Sequence, residues 1–313
     1  MIGRRSLLVG LAAAAGGLFL VRDRLPWPPL AVRFANGRDT PWLPIPSGGL
    51  IEIEVAVNGG QPIHAVVDSG AQFSAIDRAL AERLALPRTL AAPLVAYGVS
   101  GGPTFTHTVR LALTLPGLAV PGLRAAALDL APIARATGRR FQLLIGRDVL
   151  SRLIVEADFP RRRTRFLAAD AYRPPPDART VALDTTSGGP MATVQVEAAP
   201  PLKVLVDTGA AGVLALSENA AQQAGLLAPG RRVSPAHSVS LEDLSLDRRV
   251  TASTVAVGDL VLRNVDVQVY RPAANAPAPS GLLGTGLFSR YRMALDLGAD
   301  RLHLVPPSLM IVR

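Results

Sequence analysis

The sequence predicts an all-β molecule built as two lobes related by a pseudo-two-fold axis. Two observations predict it: one phrase that occurs twice, and a succession of short alternating apolar segments bounded by Gly, Pro and Asn. The phrase is Val66-Val67-Asp68-Ser69-Gly70-Ala71 in the first half and Leu205-Val206-Asp207-Thr208-Gly209-Ala210 in the second. Each copy is answered downstream by an apolar stretch ending in glycine, Leu143-Leu144-Ile145-Gly146 and Leu282-Leu283-Gly284. From aspartate to glycine is 146 − 68 = 78 residues in one half and 284 − 207 = 77 in the other. Further on, Gly146 to Arg152 lies over Gly284 to Arg290 without a gap, and Asp158 falls on Asp296. A displacement of 138 carries that stretch and 139 carries the aspartates Asp68 and Asp207, which marks an internal duplication.

Taken in order, residues 1–35 form a separate object. Arg4-Arg5-Ser6-Leu7-Leu8, followed by an apolar run to Val21, has the basic and hydrophobic regions of an export signal and is similar to a twin-arginine signal. The run of 15 residues from Leu7 is shorter than the ~20 that cross a bilayer squarely, and no Ala-x-Ala site follows. The expectation is export to the periplasm or the exterior, with cleavage or a retained N-terminal membrane anchor as its two outcomes. Pro26-Trp27-Pro28-Pro29 reads as an extended linker.

The first lobe spans 36–172. Ile51 to Val57 alternates strictly, Asn58-Gly59-Gly60 is a hairpin turn, and Pro62 to Val67 returns into Asp68. Asp77 then caps a helix over Arg78 to Leu86, and Thr104 to Leu115 is a strand region. Val155 to Phe159 and Phe166-Leu167 flank a hairpin turn at Arg161-Arg162-Arg163-Thr164-Arg165. Arg173-Pro174-Pro175-Pro176-Asp177 is a stiff spacer. The second lobe, 178–308, repeats the plan: Ala192 to Glu197, a Pro200-Pro201 turn, Leu202 to Val206 into Asp207, and a helix over Glu218 to Leu226 capped by Ser217. Each lobe is expected to carry one or two short helices.

Composition narrows the chemistry. At 313 residues, 49% of them hydrophobic, the chain can fill a core in each half. It has no cysteine, which excludes disulfides, thiol nucleophiles and thiolate metal sites. The net charge of +9 is almost all arginine, and aromatics are 4%, too few for a base-stacking platform; no nucleic-acid partner is expected. His64, His107, His237 and His303 show no metal-ligand spacing, and no metal or organic cofactor is implied.

Two half-chains that each bring one carboxylate to a common axis make a catalytic pair. Like charges held that close cannot both ionise, so one carboxyl keeps its proton and the other acts as a base on water. Aspartic proteases are a standard example of this splitting. At Asp68-Ser69-Gly70-Ala71, Asp207-Thr208-Gly209-Ala210 and the paired apolar-apolar-Gly stretches, the chain resembles the aspartic protease family. The retropepsin-like bacterial members are the most similar, over roughly Gly49 to Val305. The resemblance implies a bilobal pepsin/retropepsin-like fold with a β-barrel in each lobe. It also implies catalytic Asp68 and Asp207, a loop supported by Ser69, Gly70, Thr208 and Gly209, and cleavage of a polypeptide by a monomer with no cofactor. It further implies a substrate-binding flap at Tyr97, Gly98, Gly101 and Gly102; the matching region near Ser238 to Asp247 has no glycine. Gly146-Arg147-Asp148 is a retropepsin hallmark. The acidic residue that commonly pairs its arginine is replaced by Gln72, the equivalent Ala211 is apolar, and the second lobe has Thr285 where the first has Arg147.

Two other functions compete. An inactive protease fold could serve as a binding module, although both aspartates and both neighbouring hydroxyls persist. Gly98-Val99-Ser100-Gly101-Gly102 also satisfies the Gly-x-Ser-x-Gly elbow of serine hydrolases. That elbow needs a helix after it, and Pro103-Thr104-Phe105-Thr106 leads into a strand instead.

Overall fold

The computed structural model describes residues 30–46, 49–89, 94–97, 103–186, 188–239, 244–272 and 279–307. Each lobe closes a six-stranded barrel. In the first, the order around the barrel is Glu52–Val57, Pro62–Val67, Leu143–Ile145, Ala75–Asp77, Leu118–Leu128 and Thr108–Leu115, which pairs back onto Glu52–Val57. In the second it is Met191–Val196, Leu202–Asp207, Gly281–Gly284, Leu214–Ser217, Leu260–Tyr270 and Leu244–Val257, which pairs back onto Met191–Val196. The two orders are the same, strand for strand. Closure leaves no long edge open in either barrel.

The apolar stretches before Gly146 and Gly284 are apolar because of where they run. Leu143–Ile145 lies parallel to Pro62–Val67 on one side and antiparallel to Ala75–Asp77 on the other. Gly281–Gly284 sits the same way between Leu202–Asp207 and Leu214–Ser217. Both inserted strands are buried along their whole length, so alternation gives way to a continuous apolar run. The Asp68 and Asp207 loops therefore hang between two strands that a third one separates, and both ends of each loop are fixed.

A six-stranded sheet joins the lobes, in the order Arg179–Ala182, Arg301–Val305, Arg292–Asp296, Ile154–Asp158, Arg163–Leu167 and Leu43–Pro44. Its central pairing sets Glu156 opposite Ala294. These are equivalent positions of the duplication, since 156 + 138 = 294, so the pseudo-two-fold axis passes between them. Glu156 is buried there and anchored by Arg165 at 2.7 Å. Asp158 is also buried and accepts from the Arg161 amide at 3.2 Å, and Asp296 accepts from the Ala299 amide at 2.9 Å. Both close turns next to the strands that carry them. In the basic hairpin, Arg161 and Arg163 pair with Asp158, and Arg163 and Arg165 stack over Trp42.

The predicted helices form but stop early, at Arg83 and Gln223. Each ends in a residue of positive φ, Ala85 (φ 47) or Gly225 (φ 69), with the next amide, Leu86 or Leu226, bonded back to Ala81 or Ala221. Asp77 and Ser217 cap them, accepting from the amides of Leu80 and Ala220. Among the described residues the first lobe also has helices Ala131–Ala136 and Arg147–Leu150, making three there, one more than expected; the second adds Thr285–Phe288. The extra helices escape sequence pattern because each is a turn or two long with no side-chain cap. Arg33–Phe34, within the segment read as leader and linker, pairs with Leu118–Ala119, so the first lobe starts before residue 36. Among the described residues no helix is long and apolar enough to cross a membrane.

Candidate active site

Asp68 and Asp207 come together at the lobe junction, where both are fully buried. The loops carrying them are locked by reciprocal bonds across the axis. The Ser69 amide donates to Thr208 Oγ1 at 2.9 Å, and the Thr208 amide donates to Ser69 Oγ at 3.0 Å. Each hydroxyl then donates onward into the other lobe's strand, Ser69 to the Val206 carbonyl and Thr208 to the Val67 carbonyl, both at 2.7 Å. Ser69 and Thr208 are equivalent positions, 139 apart, so the same bond is made twice.

Glycine is needed beside each aspartate for a steric reason. A Cβ on Gly70 would lie 2.7 Å from Asp207 Cγ, and one on Gly209 would lie 2.8 Å from Asp68 Cγ. Each loop thus packs its glycine against the opposite carboxylate. The same holds one layer back. A Cβ on Gly146 would meet the Phe73 carbonyl carbon at 2.4 Å, and one on Gly284 the Gly212 oxygen at 2.4 Å. The apolar-apolar-Gly signature therefore records where an inserted strand ends against the loop bearing the aspartate.

Within each carboxylate the two oxygens differ. Asp68 Oδ1 accepts from the amides of Gly70 at 2.9 Å and Ala71 at 3.1 Å, and Asp207 Oδ1 accepts from Gly209 at 2.8 Å. Asp68 Oδ2 and Asp207 Oδ2 are buried with no partner outside the pair, and the two carboxyls hydrogen-bond each other when one holds a proton. Burial pushes both carboxyls up from the ordinary aspartate range, and the charge of Asp207 raises Asp68 further. Backbone amides and the positive charge of Arg147 work against burial at Asp207. Two carboxyls raised in this way share one proton, which belongs to the pair.

The other predicted positions divide. Tyr97 ends strand Leu94–Tyr97, which pairs with Pro103–Thr106 in a hairpin of its own, with Tyr97 opposite Pro103. Gly98, Gly101, Gly102 and Ser100 lie outside the described residues. The second lobe has a hairpin at the matching place, Val233–Val239 against Leu244–Val257. His64 sits at the barrel surface with Nδ1 3.2 Å from Glu52.

Sequence reasoning assigned no role to Asp148 or Tyr270. Asp148 Oδ1 accepts from the Ser74 amide at 3.0 Å and Ser74 Oγ at 2.8 Å, and Ser74 Oγ accepts from the Gly146 amide at 3.1 Å. This chain ties the Gly-Arg-Asp turn to the loop leaving Asp68. Burial outweighs these bonds and raises Asp148 to about 6. Tyr270 is buried and donates to the Pro279 carbonyl; burial and the nearby charge of Asp207 raise its phenol far above the usual range.

The Asp148 shift has a sign that can be tested. A carboxyl raised in the folded state stabilises below its unfolded pKa of about 3.9, and that contribution disappears as pH rises through about 6. Asp148→Asn keeps the oxygen that accepts from Ser74 and never ionises. Relative to the parent it is expected to gain about 1–2 kcal/mol between pH 4 and pH 7, measured by urea denaturation. An offset that does not change with pH would contradict this account.

Comparison with known families agrees with the geometry. Residues 53–149 match the family described as "Aspartyl protease", and residues 192–290 match "gag-polyprotein putative aspartyl protease". The second match begins 192 − 53 = 139 residues after the first, the interval between Asp68 and Asp207. No curated protein matches the chain at a significant level. Two aspartyl protease domains in one chain, each a closed barrel, define a two-lobed aspartic protease fold. The chain belongs to the retropepsin-like aspartic proteases, with both lobes in one polypeptide.

Proposed function

We propose that the protein is an aspartic endopeptidase that hydrolyses peptide bonds with a water activated between Asp68 and Asp207. One observation carries the reading. Two buried carboxyls from equivalent positions face each other, with one oxygen apiece spent on backbone amides and the other without a partner outside the pair. The ionised carboxyl of the pair takes a proton from the water as it attacks the scissile carbonyl, while the protonated one gives its proton to the carbonyl oxygen. The tetrahedral product then collapses, with a proton passing to the leaving amine. The pair must hold one proton, so activity is lost both where it gains a second and where it loses the last. The pH profile is bell-shaped with an acidic to mildly acidic optimum.

The polypeptide substrate, the monomeric state and export belong to the same proposal. One chain supplies both aspartates, and Arg4-Arg5 before an apolar run supports export, with the N-terminal segment cleaved or kept as a tether. The test is incubation of the full chain with an unfolded protein between pH 3 and pH 7, with and without a statine-type mimic of the tetrahedral state. Cleavage that the mimic blocks is the expected result. No cleavage at any pH would overturn the reading in favour of a binding module.

A further inference from the structure

One side of the lobe junction carries a cluster of arginines. A cavity of about 750 Å³ opens where Gln72 and Phe73 leave the Asp68 loop and Gly188 to Pro190 enter the second lobe. Arg110, Arg124, Arg147 and Arg152 line it. The only carboxylate among the described lining residues is Asp148, already engaged by Ser74.

Arg147 is the centre of this charge. Its guanidinium crosses to the second lobe and occupies the place a side chain at residue 189 would fill. A Cβ on Gly189 would lie 2.2 Å from Arg147 Nη1 and 2.5 Å from Leu205 Cδ1. Leu205 is two residues before Asp207, about 7 Å along an extended strand. Among the described residues the guanidinium makes no ion pair and no side-chain hydrogen bond. Burial lowers its pKa while Asp68, Asp207 and Asp148 oppose that. A cation largely removed from water without a paired anion is costly, and a bidentate carboxylate is the partner its planar fork fits. On the other side of the axis the equivalents are Leu50 and Thr285, whose hydroxyl donates to the Ala210 carbonyl. At the position of Arg147 the second lobe has no guanidinium.

We propose that Arg147 forms an anionic subsite at one end of the cleft, which takes a carboxylate of the substrate peptide. Resting on the protease reading above, this narrows the substrate class: peptides bearing an acidic side chain, or their own C-terminal carboxylate, on one side of the scissile bond. The other side remains neutral in preference.

Paired peptides at pH 6 test it, differing by Glu against Gln at successive positions, or by a free C-terminal carboxylate against its amide. One arm reads kcat/KM with the native protein. The second reads peptide affinity by calorimetry with Asp68→Asn, which needs no turnover. At one position on one side, the carboxylate member is expected to be favoured by about tenfold or more. The selectivity should fade as pH drops below the peptide glutamate's pKa of about 4.3. Whether Glu or the terminal carboxylate carries the effect separates the two sources. Arg147→Met should bring the ratio near one and Arg147→Lys should restore part of it. Gly189→Ala, which displaces the guanidinium, should reduce the ratio by a different route if Arg147→Met does not fold.

Cleavage of neutral and acidic peptides alike, with no difference in affinity, would overturn the subsite and leave the protease reading intact. Selective binding without any cleavage would keep the subsite and overturn the protease reading.

Discussion

Asp68→Asn or Asp207→Asn, each alone, is expected to lower kcat/KM on an unfolded protein substrate by at least about 10³-fold. The reason is stoichiometric: one proton must be shared between two acids, and an amide can neither ionise nor take its turn as acid. The expected effect on folding is small and has the opposite sign. Both carboxyls are raised in the folded state, so at neutral pH each contributes less stability than it does in acid. Removing one ionisable group from the buried pair relieves like-charge repulsion, so the melting temperature at pH 7 should not fall. A variant keeping a tenth or more of parental activity would sink the shared-proton mechanism, and a large fall in melting temperature would mean that the pair is structural.

Gly70→Ala or Gly209→Ala should damage both stability and chemistry. The new methyl would lie 2.7 Å from Asp207 Cγ in the first case and 2.8 Å from Asp68 Cγ in the second, closer than non-bonded carbons approach. The carboxylate must move or the lobes must part, and either loosens the Ser69–Thr208 lock. Overpacking of this kind costs about 1–3 kcal/mol. A displacement near 1 Å at reacting atoms costs about 100-fold in rate. The internal control is Gly212→Ala, four residues beyond Thr208, where an added methyl meets nothing within 4 Å. Urea denaturation and kcat/KM on the three variants decide it. If Gly70→Ala behaves like Gly212→Ala, the loops do not pack as described.

Whatever the duplication repeats is legible in the amino-acid sequence. Asp68 with Asp207, Ser69 with Thr208 and Gly146 with Gly284 all sit at intervals of 138 or 139; the first two pairs meet at the axis, and each glycine of the third packs against its own lobe's loop. Strands such as Glu52–Val57 and Met191–Val196 show themselves because burial alternates along a barrel wall. Equally legible are the caps at Asp77 and Ser217, which satisfy amides three residues on.

The features that escape are those where the halves differ, or where contact depends on docking. The reach of Arg147 to Gly189 joins residues of different lobes, and no local pattern encodes it. The bond from Asp148 to Ser74 spans 74 residues. Tyr270 stands at the strand position that Leu128 holds in the first lobe, paired with Ser217 as Leu128 is with Asp77. Helix Ala131–Ala136 is too short to show a period.

The sheet that crosses the axis through Glu156 and Ala294 has a consequence for heredity. When an enzyme of this architecture assembles from two identical chains, any altered codon changes both walls of the substrate channel at once. Here the walls are separate stretches of a single reading frame, so Arg147 could arise on one wall while Thr285 persisted on the other. Either half can therefore change without the other.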